Sequence, residues 1–128
     1  MILTLDPCAE TPLYRQLRNQ IVTGIARGEL VPGESLPTVR QLAADAGINT
    51  MTVNKAYQML KSEGYLVIDR RHGAMVAPKQ DNAAACSDAL EPQLELLSAE
   101  ARLNGLDRSA FLRLCSQAFA RIEPEGRT

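Results

Sequence analysis

Three consecutive cationic or potentially cationic residues, Arg70, Arg71 and His72, are followed by Gly73, which frees the backbone for a turn. Guanidinium groups gathered at a turn suit a polyanion, lying along phosphates or entering a minor groove. A second set precedes them. Thr50, Met51, Thr52, Asn54, Lys55 and Gln58 fall largely off the apolar positions Val53, Ala56, Tyr57 and Leu60. Hydroxyls, an amide and an ammonium on the open side of a helix are the groups that read base edges or hold phosphate oxygens in a major groove. The N-terminus of such a helix is itself electropositive. Arg40 can join Lys55 and the turn in a local basic patch. Taken singly, each of these positions is an ordinary solvated residue, and a lone surface histidine is seldom a switch; the weight rests on the set.

Other chemistries are missing. There is no nucleophile paired with a base, no metal-ligand cluster and no phosphate-cradling loop; the only histidine is His72, and the carboxylates are scattered over helix surfaces. An enzyme is not expected, and no cofactor or metal is implied. Cys8, Cys86 and Cys115 are odd in number and widely spaced, so the expectation is reduced thiols, with Cys115 a small core residue on a helix; a redox sensor is the alternative. No run approaches the ~18 apolar residues of a membrane span, and no signal segment is visible. A cytoplasmic protein without a membrane partner is expected.

The elements that must position these groups follow from the pattern. With 128 residues the chain is one domain, or a small domain with an appendage, too short for a (β/α)8 barrel. Aromatic residues are only 4%, so the core must come from Leu, Ile, Val and Ala. Residues 1–5 alternate weakly, as an extended arm would. Thr11-Pro12 reads as a helix start, with Thr11 as cap, and Tyr14, Leu17, Ile21 and Ile25 place a helix at about 12–27. Gly28, Pro32 and Gly33 make a connecting loop. Thr38-x-x-Gln41 is a capping-box pattern opening a second helix, with Val39, Leu42, Ala43 and Ala46 on its apolar stripe. Only Gly47, Ile48 and Asn49 separate it from a third helix capped by Asn49 and stopped by Gly64. So short a turn forces the helices to cross steeply, with Ile48 plugging the angle between them. The runs 65–68 and 74–77 around the polar turn 70–73 read as a β-hairpin. Residues 79–85 read as a linker. Two further helices are expected, at about 87–104 and 107–122, with Gly105 between them and a frayed polar tail at 123–128.

Helix, helix, tight turn, helix, hairpin is the order of a winged helix-turn-helix. The fold expected is mainly α with a small β-hairpin, residues 1–78 being the winged domain and 79–128 a short helical dimerisation region. The stretches Pro12-Leu-Tyr-Arg-Gln-Leu, Pro32-Gly-Glu-Ser-Leu-Pro-Thr-Val-Arg-Gln-Leu-Ala and Thr52-Val-Asn-Lys-Ala-Tyr-Gln-Met-Leu-Lys-Ser-Glu-Gly-Tyr-Leu resemble the DNA-binding domain of GntR-family bacterial transcription regulators over about residues 11–78. The form around Thr52 and the short two-helix C-terminal part resemble the YtrA subfamily. The resemblance implies an operator with two-fold symmetry and regulation often tied to neighbouring transporter genes. It places DNA contacts at Thr38 and Arg40, at Thr50, Thr52, Asn54 and Lys55, and at the wing around Arg71, His72 and Gly73, next to Arg70 of the basic turn. Many family members carry Arg where this chain has Thr50, and a Gly near Arg71. The first departure removes a bidentate guanine reader; the second makes the wing tip more basic.

Residues 79–128 are too few for a large effector-binding domain, and two amphipathic helices cannot close a core around themselves. Leu90, Leu94, Leu97 and Ala101 approximate a heptad-like seam, and Phe111, Leu114 and Phe119 mark the second helix. These faces need a partner, either the winged domain or, as the favoured reading, a second copy. Net charge is −1 overall; residues 1–78 carry 8 basic and 7 acidic side chains, residues 79–128 carry 6 and 8. Binding to DNA must therefore rest on a few placed cations rather than broad attraction. The function expected is a homodimeric, sequence-specific regulator, most readily a repressor, on double-stranded operator DNA, with no effector identified. A winged-helix module that docks on protein without touching DNA is the alternative.

Overall fold

The computed structural model describes residues 3–124; the start of the expected arm, at Met1 and Ile2, and the end of the expected frayed tail, at 125–128, lie outside the described residues. The elements are α1 (Leu13–Arg27), α2 (Val39–Ala46), α3 (Thr50–Ser62), β1 (Leu66–Asp69), β2 (Gly73–Val76), α4 (Ala83–Leu103) and α5 (Arg108–Ile122). They fall into two compact units. One runs through Pro78 and includes Glu123 and Pro124; the other is Lys79–Ile122.

Helix α1 differs from the expected start by one cap. Pro12 itself takes the N-cap position, with φ −57° and ψ 149°, and no side chain caps the helix. The residue before a proline is held out of the helical region, so Thr11 stays in the loop, where its carbonyl accepts from Gln16 Nε2 at 2.7 Å. The segment before it is strapped down. Thr4 N–H donates to Gln20 Oε1 at 2.9 Å, and Gln20 Nε2 donates back to the Thr4 carbonyl. Gln16 does the same for Asp6, at 2.9 and 2.8 Å. Two glutamines one turn apart thus supply an extended segment with the hydrogen bonds a neighbouring strand would give, while Leu3 and Leu5 pack against the core.

The capping box at α2 forms as the sequence indicates. Gln41 N–H donates to Thr38 Oγ1 and Thr38 N–H to Gln41 Oε1, both at 3.1 Å. The core is made by Leu17 and Ile21 of α1, Leu42 and Ala43 of α2, and Val53, Ala56, Tyr57 and Leu60 of α3, closed by Leu66, Ala74 and Val76 of the hairpin. Each fully buried Leu or Ile removes enough apolar surface from water to contribute about 1.5–3 kcal/mol. Tyr57 adds a polar atom to this core and satisfies it: its hydroxyl donates to the Pro37 carbonyl at 2.7 Å. Burial pushes the Tyr57 phenol up to about 12.

The hairpin pairs Leu66 with Val76 and Asp69 with Gly73, each strand lying one residue nearer the turn than expected. A third edge was not legible in the sequence. Ser35 bridges Met75, Leu36 N–H donates to the Ala74 carbonyl at 2.8 Å, and Val76 N–H to the Glu34 carbonyl at 2.9 Å. The loop ahead of α2 is therefore sewn to the wing.

In the second unit, α4 begins at Ala83, ahead of the expected start near Ser87. The Ala83-Ala84-Ala85 run lacks apolar periodicity but has the highest helix propensity of any residue type, so the linker contracts to 79–82. Pro92 lies inside α4. Asp107 opens α5, its carboxylate accepting from Ala110 N–H at 2.8 Å. Neither helix buries a residue. Cys115 is accordingly exposed rather than a core residue, as are Cys8 and Cys86, because α5 and α4 build no core between them that could bury it. A cleft of about 650 Å³ opens between the two helices, lined by Ala101, Arg102, Leu106, Asp107, Arg108 and Phe111 among others. No helix among the described residues is long and apolar enough to cross a membrane.

Candidate nucleic-acid interface

Helix α2 ends at Gly47 with φ 69°, a left-handed conformation that an L side chain strains to adopt. Ile48 N–H reaches back to the Ala43 carbonyl at 3.0 Å, and Ile48 packs partly buried on the core. Asn49 then caps α3, its Oδ1 accepting from Met51 N–H at 2.7 Å. Helix α3 is thus set at a fixed angle to α2 by three residues. Its other end is fixed too: Gly64, at φ 88°, stops it, and Tyr65 N–H returns to the Leu60 carbonyl at 2.9 Å.

The α3 face opposite the buried stripe consists of Met51, Asn54, Lys55 and Gln58, spaced i, i+3, i+4, i+7 and all exposed. Thr50 is exposed at the first turn and Thr52 is half-buried at its flank. Lys55 does not hang free. Its Nζ sits 4.0 Å from the centroid of the Tyr14 ring on α1, a cation–π contact. Thr38 is exposed but its Oγ1 is engaged in the capping box, whereas Arg40, in the first turn of α2, is exposed.

The wing tip is organised by a residue that sequence reasoning passed over. Asp69 Oδ1 accepts the His72 backbone N–H, and Oδ2 lies 3.2 Å from His72 Nδ1. These bonds to His72 hold the Asp69 carboxyl below the ordinary carboxylate range. Gly73 closes the turn at φ 67°. The carboxylate faces into the turn, so Arg70 and Arg71 are left exposed; among the described residues neither they nor Arg40 have an ion-pair partner. Asp three residues before His in a polar turn is a recognisable side-chain-to-backbone turn signal, and it was available in the sequence.

A second cluster ties the frame together behind α3. Arg18 of α1 makes a bidentate pair with Glu63, 2.9 Å to each carboxylate oxygen, and lies 5.8 Å from the Tyr65 ring centroid. The hydrogen bond to Glu63 raises the Arg18 pKa further, so the guanidinium stays charged.

In the second unit, Leu90, Leu94, Leu97 and Ala101 of α4 share one face by spacing, and Leu94 is 47% exposed and Leu97 53%. On α5, Leu114 and Phe119 are exposed and Phe111 half-buried. Of the expected seam residues, Leu90, Leu94, Leu97, Leu114 and Phe119 are exposed, and Ala101 and Phe111 are half-buried.

The family model "Bacterial regulatory proteins, gntR family" matches residues 13–76. The chain is 35% identical to the HTH-type transcriptional regulator Rv1152 of Mycobacterium tuberculosis, over 87% of this chain and 88% of that protein. It is 31% identical to the HTH-type transcriptional repressor YtrA of Bacillus subtilis, over 83% of each. Among solved structures it is similar to the AraR DNA-binding domain in complex with operator ORX1, with TM-score 0.53 and 30% identity over 60% of this chain and 95% of that one.

Proposed function

This chain belongs to the GntR family of bacterial regulatory proteins and is a YtrA-like, winged helix-turn-helix transcription regulator; from that premise we propose how it engages DNA. Helix α3 enters the major groove with the face Met51, Asn54, Lys55 and Gln58, its N-terminal turn adding Thr50 and Thr52. Asn54 is the direct reader, since an amide pairs in bidentate fashion with adenine. Lys55, with one side of its ammonium over Tyr14, offers its remaining N–H groups to a phosphate. The wing lays Arg70, Arg71 and His72 along the backbone or into a minor groove, and Thr38 and Arg40 contact a phosphate at the start of α2. Residues 79–128 join two copies through Leu90, Leu94, Leu97, Ala101, Phe111, Leu114 and Phe119. The dimer binds a two-fold-symmetric operator and represses by occluding a promoter, a neighbouring transporter operon being the expected target.

The observation that carries this reading is the pair of guanidinium groups on the wing without an ion-pair partner among the described residues, together with a capped helix whose open face is polar but for Met51. The test uses the full chain and a random-sequence duplex pool. Enrichment of a two-fold-symmetric sequence, with affinity falling steeply as salt rises, is the expected result. Asn54→Ala should then change the preferred base at one position of each half-site, by roughly 1–3 kcal/mol. A chain that enriches no sequence at low salt is not an operator-binding protein.

A further inference from the structure

We infer that Met51 reads the 5-methyl group of a thymine in the operator, so that this regulator takes part of its sequence specificity from an apolar contact. The inference rests on the operator-binding reading above and assigns a residue that the family resemblance leaves unassigned. Met51 is 76% exposed, against 50% for Val31 and 43% for Val67, the next most open large hydrophobic side chains of the winged unit. A single exposed apolar residue is ordinary; its place is what singles it out. It lies on the side of α3 opposite Val53 and Leu60, which are fully buried, and is the one apolar member of the face it forms with Asn54, Lys55 and Gln58.

The backbone fixes where that side chain starts. Asn49 Oδ1 holds the Met51 N–H at 2.7 Å, and Met51 stands in the first turn of α3, the part of a reading helix that goes deepest toward base edges. Thymine is the base that presents an apolar group in the major groove. A long, unbranched, polarisable thioether adapts to such a methyl group without demanding one geometry. Polar neighbours on the same face satisfy the hydrogen-bonding groups around it.

The test takes the duplex enriched by the full chain and replaces its thymines one at a time with deoxyuridine, which removes only the methyl group. One thymine in each half-site should matter to the wild-type protein, its replacement weakening binding about fourfold, the worth of one buried methyl. Met51→Ala should bind thymine and deoxyuridine duplexes equally, and Met51→Leu should keep the discrimination. Because Met51 is exposed and outside the core, both variants should retain the wild-type circular dichroism spectrum and melting temperature. Tight wild-type binding that ignores every methyl group, or discrimination that persists in Met51→Ala, overturns the inference and leaves operator binding standing. Failure to enrich any duplex overturns both.

Discussion

The two units are both built from amphipathic helices, and they use them in opposite ways. The winged unit turns the apolar faces of α1, α2 and α3 inward, so that Leu17, Ile21, Val53 and Leu60 are fully buried. The unit of α4 and α5 buries no residue and leaves Leu94, Leu97, Leu114 and Phe119 in the open. A hairpin and a third helix complete the first core; α4 and α5 close none between themselves. The lesson is that an amphipathic stripe specifies that a face will be covered, not by what. The first unit carries its stability within one chain. The second, on the proposed reading, acquires it only when a second copy arrives.

The sharpest way to break that contrast is Leu94→Asp. A charge on the α4 seam should convert dimers into monomers by analytical ultracentrifugation and lower operator affinity by about 100-fold or more, because two linked half-site contacts become one. A variant that stays dimeric puts the seam elsewhere. Leu60→Ala probes the other side of the comparison. It should destabilise the winged unit by about 2–5 kcal/mol, and the loss, read by urea denaturation, should be the same at every protein concentration. A concentration-dependent loss would mean that the winged unit, too, leans on assembly.

Smaller effects sharpen the picture within the winged unit. Arg71→Ala should leave the melting temperature unchanged, weaken binding to all sequences alike, and reduce the slope of log affinity against log salt by about one. A change in base preference instead would make Arg71 a base reader. The smallest effect concerns Asp69. Its carboxyl titrates below the ordinary range because the ionised form accepts from His72. That contribution is complete above the ordinary aspartate pKa and fades as pH falls through the lowered one. Asp69→Asn should therefore flatten a shallow acid-side loss of wing order, visible in the amide resonances of residues 70–73, and leave behaviour near neutrality almost intact.

What was legible in the sequence was local. Thr38 and Gln41, Asn49, Gly47 and Gly64 announce caps and stops because capping chemistry operates within four or five residues of backbone. The turn between α2 and α3 was legible for the same reason. What was hidden joins residues far apart in the chain. Lys55 reads as a free cation until Tyr14 is found beneath it, and Arg18 and Glu63 read as solvated charges until they meet. The edge at 33–36 hides because its backbone, not its side chains, makes the bonds. Tyr14 falls on the helical spacing of α1 and packs partly buried against the core, so its spacing alone does not reveal a second role under Lys55. The misplacements at Thr11, Ala83 and Cys115 share a cause. Each assumed that a local preference would be met by the neighbour most convenient in sequence.

The Ser35–Met75 bridge gives the wing a mechanical connection. Its edge leads directly into Pro37, whose carbonyl holds the hydroxyl of Tyr57 on α3. Hairpin, edge and reading helix are thus links of one short chain, and a torque on the wing is delivered to the helix through a tyrosine. In hydrogen exchange, the amides of Leu36 and Val76 should open together with the core of α3 as one cooperative unit, so that on the proposed reading helix and wing would meet an operator as a single body.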